Sequence, residues 1–443
     1  MTTTLWRTDR PALFVWPVLL AALLLGACAS PVRLMPTPVS FRGGEVDPFE
    51  SAGLMVHGTD VPVLYATNRG ALVERPEPIH TTLPSERLRM GVAYVGIGDE
   101  TLDWETLHRL STSDDPAERP IVELKGLEQI ASLGAGDSGA ASPDARAFFA
   151  LVNQALAASA NSELLVYVHG SNNTLARAAA QAAQLRHFTG RRVVVLAFLW
   201  PSAGSILHYF TDVANAAASV EPFARLIELL AAHTQASAID VLVYSAGAQI
   251  VSPALARLGT TPPGESREAL RQRLRLRNIY FAAADIDTRR FINELVRYVD
   301  LVERVSVAAN LNDSALRFAG IVHRASRLGR PDPGELSESQ TSFLVEASRD
   351  FGFDLIKVDP NAIPNLPRRS HAFWYEDPWV SGDLLGLFLL NAGPQQRGLD
   401  PQSSAGGARY WTFPADFDER VVRLFTPGAA TVPATSKPAP GPR

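Results

Sequence analysis

Short apolar runs alternate with longer amphipathic stretches between about residues 55 and 425. Glu163–His169 (ELLVYVH), Arg192–Trp200 (RVVVLAFLW) and Ile239–Tyr244 (IDVLVY) are apolar at almost every position. Asn278–Ala283, Val302–Ala308 and Phe353–Val358 are apolar at most of theirs. A strand that alternates apolar and polar residues buries one face, whereas a strand apolar throughout buries both. The segments between carry helical signals: an Ala-rich helix over Thr174–Arg186, and a helix over Val213–His233 interrupted near Pro222. Upstream, Ser142 and Pro143 supply an N-cap and a first-turn proline for a helix reaching about Ala158. Val61–Thr67 and Leu88–Val95 predict two early strands. Doubly buried strands separated by helices specify an α/β fold, a mostly parallel sheet with helices on both faces, in one domain over residues 55–425. Gly329–Ser348 is polar and Pro-bearing, a surface excursion from that domain.

The first residues break this pattern. Arg7 and Arg10 lead into the apolar run Pro11–Leu25, and small Gly26 and Ala27 precede Cys28. A positive start, an apolar middle and a small-residue end form the layout of a secretory signal. The run falls short of the roughly 20 apolar residues of a membrane span. Leu25-Gly26-Ala27-Cys28 resembles the lipobox of bacterial lipoproteins. That resemblance implies removal of residues 1–27 and acylation of Cys28, which would anchor the mature chain to a membrane of the cell envelope. Ala29 and Ser30 follow, with no Asp beside the cysteine, which by the same resemblance favours the outer membrane. Residues 28–54 read as a Pro-, Ser- and Gly-bearing tether, and residues 426–443 as a disordered low-complexity tail.

Of 443 residues, 46% are hydrophobic and 20% charged, a composition that buries a full core. Lys and Arg total 41 against 46 Asp and Glu, a net charge of −5, which argues against a nucleic-acid partner. Cys28 is the single cysteine, so an internal disulfide, a cysteine-ligated zinc ribbon and an iron–sulfur cluster are excluded. No HExxH or paired-His spacing points to a metal, and no Gly-rich phosphate loop points to a nucleotide. No cofactor is expected.

Ser245 stands between the run Ile239–Tyr244 and a helical segment, in Val243-Tyr244-Ser245-Ala246-Gly247. A serine at a sharp strand-to-helix turn lifts its hydroxyl above the sheet, and small Ala246 and Gly247 let the turn close. The layout resembles the nucleophile elbow of α/β-hydrolases, with Val243 where the first glycine of that motif stands. A serine N-cap is the competing account. The Ala246 N–H then offers one oxyanion donor. His169-Gly170-Ser171-Asn172-Asn173-Thr174 follows the earlier strand, and the Ser171 N–H is the expected second donor. His169, before Gly170, reads as a loop-organising group. Pro253 interrupts or kinks the helix after the elbow.

Among nine histidines only His371 follows the last predicted strand, where the chain order Ser…Asp/Glu…His requires the base. Two acids compete to orient it: Asp313, after the second strand beyond Ser245, is favoured, and Asp285, after the first, is the alternative. Either would otherwise serve as a helix N-cap.

Taken together, VYVHGSNNT, FLWPS, VYSAG, FAAADID, NDSAL and SHAF resemble a bacterial family of α/β-hydrolases of unknown function whose members look like esterases or lipases. In that family one strand ends in a His-Gly-x-Asn loop, the next in Trp-Pro-Ser, and the nucleophile sits in a His-Ser-x-Gly elbow. Here these correspond to His169-Gly170-Ser171-Asn172, Trp200-Pro201-Ser202 and Tyr244-Ser245-Ala246-Gly247, with Tyr244 in place of the histidine. Tyr209 and Asp212 fall where the family has a Tyr…Asp pair, and the resemblance runs from about Val61 to Leu390. It implies a serine hydrolase acting on a small ester or acyl substrate, with Trp200, Tyr209 and Tyr244 lining the acyl pocket. A catalytically idle hydrolase fold, kept as an envelope-anchored interaction module, is the competing reading. Val243, Tyr244 and Pro253 at the elbow keep it open.

Overall fold

The computed structural model describes residues 31–426 except 51–56, 74–76, 138–141, 324 and 405. Residues 1–30, with the expected signal sequence and Cys28, and the expected tail beyond Thr426 lie outside the described residues. Eleven strands form one sheet: β1 Val63–Val73, β2 Ile79–Ile97, β3 Val122–Leu133, β4 Glu163–Val168, β5 Val194–Phe198, β6 Ala238–Tyr244, β7 Leu276–Ala282, β8 Arg304–Ala309, β9 Phe353–Lys357, β10 Asp400–Ser403 and β11 Arg409–Thr412. Their order is β10-β11-β9-β8-β7-β6-β4-β5-β1-β2-β3. The centre, from β1 through β9 to β11, is parallel, and the antiparallel pairs lie at the two margins.

The continuous apolar runs follow from burial on both faces. In β4, Leu164, Val166 and Val168 face one core and Leu165 and Tyr167 the other. In β6 the same alternation sends Ile239, Val241 and Val243 one way and Leu242 and Tyr244 the other. Helices Pro143–Ala158, Tyr209–His233, Ala248–Leu258 and Thr288–Leu295 fill the first core. Helices Leu175–Phe188, Pro378–Leu390 and Phe417–Phe425 fill the second. The structure is thus an α/β-hydrolase fold of the doubly covered kind.

Five local differences from the sequence expectation have physical causes. The early strands are longer than predicted, and β3 was not expected, because the outer half of β2 is mostly exposed and β3 mixes buried, half-buried and exposed positions without an apolar run. The helix Tyr209–His233 runs through Pro222 without a break, since buried Phe223, Leu226, Ile227 and Leu230 hold it against the sheet. Ala248–Leu258 passes through Pro253 in the same way, on Ile250, Val251, Ala254 and Leu255. Residues 31–50, read as a tether, are packed instead. Leu34, Met35, Val39, Phe41 and Phe49 are buried, Val122 N–H donates to the Val32 carbonyl (2.7 Å), and Val39 N–H donates to the Pro378 carbonyl (2.9 Å). The apolar residues between the prolines outweigh a linker-like composition. Residues Glu338–Asp350 of the expected surface excursion form a helix with a Ser337/Gln340 capping box. Among the described residues no helix is long and apolar enough to cross a membrane.

Candidate active site

The carboxyl ends of β4 to β9 converge on a cavity of about 940 Å³, lined by Ser171, Tyr209, Tyr244, Ser245, Asp285 and His371 among others. Such a position, outside the carboxyl ends of a parallel sheet, is where open α/β sheets bind ligands.

The elbow is built from small residues. β6 ends at Tyr244, and Ser245 takes φ 50°, a left-handed value that a non-glycine residue adopts at a cost of about 1–3 kcal/mol. A single 3₁₀ turn, Ser245–Gly247, leads into the helix Ala248–Leu258. A side chain on Gly247 would place its Cβ 2.9 Å from the carbonyl oxygens of both Val168 and His169, so only glycine lets the turn seat against the end of β4. The Ser245 carbonyl accepts from the Asp285 N–H at 3.0 Å, which ties the elbow to the end of β7. The strain is held by these contacts and aims the hydroxyl into the cavity.

His371 comes from the long connection after β9. The Asn310 side-chain amide donates to the carbonyls of Ser370 (2.9 Å) and Arg368 (3.4 Å), and so fixes the backbone that carries the imidazole. His371 Nε2 lies 2.9 Å from Ser245 Oγ, and Nδ1 lies 2.6 Å from Asp313 Oδ2. A carboxylate only accepts, so Nδ1 carries the proton and Nε2 presents its lone pair to the serine hydroxyl. Asp313 is fully buried and uses both oxygens: Oδ2 meets the histidine, while Oδ1 accepts from Ala315 N–H (2.9 Å) and Leu316 N–H (3.1 Å). One side chain thus both caps the helix and meets the histidine ring.

Asp285 does not reach the histidine. Arg327 Nε donates to its Oδ1 (2.5 Å), Tyr209 Oη donates to its Oδ2 (2.8 Å), and Arg327 Nη2 donates to its carbonyl (2.9 Å). Both carboxylate oxygens are therefore engaged away from His371, which removes Asp285 as the alternative acid. Burial and the Asp285 charge push the Tyr209 phenol well above its usual range, so it stays a donor. His323 Nε2 lies 3.1 Å from the same phenol oxygen, an arrangement the sequence did not signal.

The loop after β4 passes directly beside the hydroxyl. A Cβ on Gly170 would lie 2.8 Å from Ser245 Cβ and 3.4 Å from Ser245 Oγ. Asn172 takes φ 55° and its N–H donates to Asp212 Oδ2 at 3.1 Å. The same buried carboxylate accepts from Ser202 Oγ (2.8 Å) and Ala203 N–H (2.7 Å), and Ser202 Oγ accepts from Asn173 N–H (3.2 Å). Asp212 thus pins the loops after β4 and β5 together and sets where the Ser171 backbone lies. Arg69 of β1, itself buried, braces the second loop through the Ser202 carbonyl (2.9 Å).

His169 is structural, as its place in the sequence suggested. It is fully buried, and burial lowers it to a pKa of about 3, so the ring is neutral. It stacks on Trp200 with ring centroids 5.1 Å apart. Trp200 Nε1 donates to the His169 carbonyl at 2.7 Å. Trp200 is itself fully buried and forms no part of the cavity wall, so its expected place in the acyl pocket is corrected: it is core, locked under the loop. Tyr209 and Tyr244 do line the cavity, and Tyr244 packs its ring 5.4 Å from that of His371. Among the described residues no three His, Cys, Asp or Glu side chains converge to hold a metal ion.

The close approach of Gly170 makes a test. In Gly170→Ala the added methyl displaces Ser245 or the loop, and a displacement near 1 Å costs about 100-fold in turnover. The expected result is that loss in kcat with little change in KM and a circular dichroism spectrum like the wild type's. Wild-type kcat in a folded variant would remove the loop from the site.

A family profile described as "Alpha/beta hydrolase of unknown function (DUF900)" matches residues 144–365, half of the 443-residue chain. The match spans Ser171, Ser245 and Asp313 and stops six residues short of His371. No curated protein matches. A solved structure, the nucleoside-diphosphate sugar epimerase from Corynebacterium glutamicum, aligns at 13% identity over 73% of this chain and 72% of its own, with a TM-score of 0.15, too low to bear on fold or activity.

Proposed function

We propose that this chain, which belongs to the alpha/beta hydrolases of unknown function, is a serine hydrolase of carboxylic esters held in the bacterial envelope by a lipid on Cys28. The observation that carries the reading is the continuous relay from Ser245 Oγ through both nitrogens of His371 to the buried Asp313 carboxylate. His371 Nε2 takes the hydroxyl proton as Ser245 Oγ attacks the ester carbonyl. Asp313 keeps the other ring proton in place and balances the imidazolium charge. The oxygen of the tetrahedral intermediate accepts from the N–H groups of Ala246 and Ser171, each donor of this kind being worth about 3 kcal/mol in the transition state. The alcohol leaves with the proton from His371, and the acyl group remains on Ser245. Water, deprotonated by His371, then releases the acid and restores the hydroxyl. The steps use only this chain's side chains, backbone and water.

A fluorophosphonate probe tests the reading. The wild-type protein is expected to label once, with the adduct on the peptide that contains Ser245 by mass spectrometry. Folded protein that fails to label, or labels elsewhere, would favour an idle interaction module.

A further inference from the structure

The first described residues lie at the mouth of the cavity beside Ser245. Pro31 and Val32 line it, beside Ile121, Val122 and Leu124 at the start of β3. They are fixed there, since Leu34 is buried and its N–H donates to the Pro120 carbonyl at 2.8 Å, while Val122 N–H holds the Val32 carbonyl at 2.7 Å. Cys28 stands three residues before Pro31. Three residues of chain span at most about 10 Å however they are disposed. Chain length alone therefore keeps the Cys28 attachment point within about 10 Å of Pro31, a distance comparable to the ~5–8 Å depth of one headgroup layer.

Exposed apolar side chains stand close in sequence to the lining residues. Leu207 is 78% exposed and Phe210 69% exposed, and they alternate in sequence with Ser205 and Tyr209, which line the cavity. Leu311, 46% exposed, precedes the lining residues Ser314 and Ala315, and Ile121 is both lining and exposed. Three separate connections that supply lining residues thus also present large apolar side chains to the outside. Such side chains gain when they enter the headgroup and acyl boundary of a bilayer. Inside, Val122, Leu124, Leu316 and Ala319 give the cavity apolar walls, and its volume of about 940 Å³ is near the upper end of the usual ~300–1,000 Å³ for small-molecule sites.

We infer that the cavity mouth rests on the lipid surface to which Cys28 anchors the chain, and that the substrate is the acyl ester of a lipid drawn from that bilayer. The inference rests on the serine-hydrolase reading and adds the substrate class. The acyl chain passes from the lipid oxygen to Ser245 Oγ, the lipid alcohol leaves with the proton held by His371, and water releases the fatty acid.

The test uses the full chain, produced with its own signal and reconstituted into vesicles of phosphatidylethanolamine and phosphatidylglycerol. Fatty-acid release and p-nitrophenyl acetate turnover are measured on the same samples. Wild type is expected to do both. The double variant Leu207→Ser/Phe210→Ser is expected to lose at least about tenfold in fatty-acid release while keeping acetate turnover. A second variant inserts a flexible Gly/Ser spacer of about 20 residues between Ser30 and Pro31, which adds roughly 25 Å of root-mean-square reach and frees the rim from the surface. It is expected to show the same selective loss. Acetate turnover without fatty-acid release in the wild type would overturn the inference. Wild-type fatty-acid release by both variants would do so too. A wild type that turns over neither substrate sinks the hydrolase reading as well.

Discussion

Ser245→Ala is expected to lower kcat for p-nitrophenyl esters on the order of 10⁶-fold, because removing the nucleophile of a cooperating unit costs about as much as removing the whole unit. The substitution deletes one oxygen and keeps the Cβ that packs beside Gly170, so the elbow has no new clash to relieve. The Ser245 carbonyl bond from the Asp285 N–H is a backbone contact and survives. The thermal transition should therefore stay within a few degrees of the wild type's. A folded variant with undiminished turnover would take Ser245 out of the chemistry.

The second large effect is expected at Asp313. In Asp313→Asn the amide oxygen can still accept from Ala315 and Leu316, since Asn caps helices as well as Asp does. What changes is the other end of the side chain. An amide NH₂ facing His371 Nδ1 favours the proton on Nε2, which then points a donor at Ser245 Oγ and cannot accept from it. A wrong tautomer of this kind costs about 10⁴-fold in kcat. The helix that begins at Ser314 should remain, so circular dichroism should not change. Asp285→Asn is the contrasting variant. It leaves the His371 pair alone but breaks a buried ion pair with Arg327, where the side chains are 4% and 5% exposed. Its cost should fall on stability, about 3–5 kcal/mol, read from urea unfolding. Equal losses of kcat in the two variants would undo the assignment of Asp313 over Asp285.

The strands that hold the site were readable because burial on both faces writes an unbroken apolar run. β4, β5 and β6 announced themselves, and with them the positions of Ser171, Ser202 and Ser245. β3 did not, because it mixes buried, half-buried and exposed positions, and its alternation is blurred where the register with β2 shifts. His371 was readable from chain order alone. Strand order favoured Asp313 over Asp285 as its partner without deciding between them. Each follows a strand, and only the loop that carries His371 decides which carboxylate its ring meets. Asn310 escaped notice for a related reason: an asparagine after a strand looks like a turn residue until Ser370 and Arg368 are brought to it. Trp200 misled because an aromatic residue at a strand end fits a pocket wall and a core equally well. The segment 31–50 misled because its prolines concealed the apolar residues among them.

The wall made by Ile121–Leu124 lies upstream of the stretch that matches the family, whereas Ser171, Ser245 and Asp313 lie within it and His371 lies six residues past its end. The proposed relay and one wall of the cavity are thus carried by different stretches of the chain. Evolution can recast that side, widening or narrowing the chamber, without disturbing the proton relay. Relatives that share the relay but not this upstream segment should differ in which acyl groups they accept rather than in whether they react.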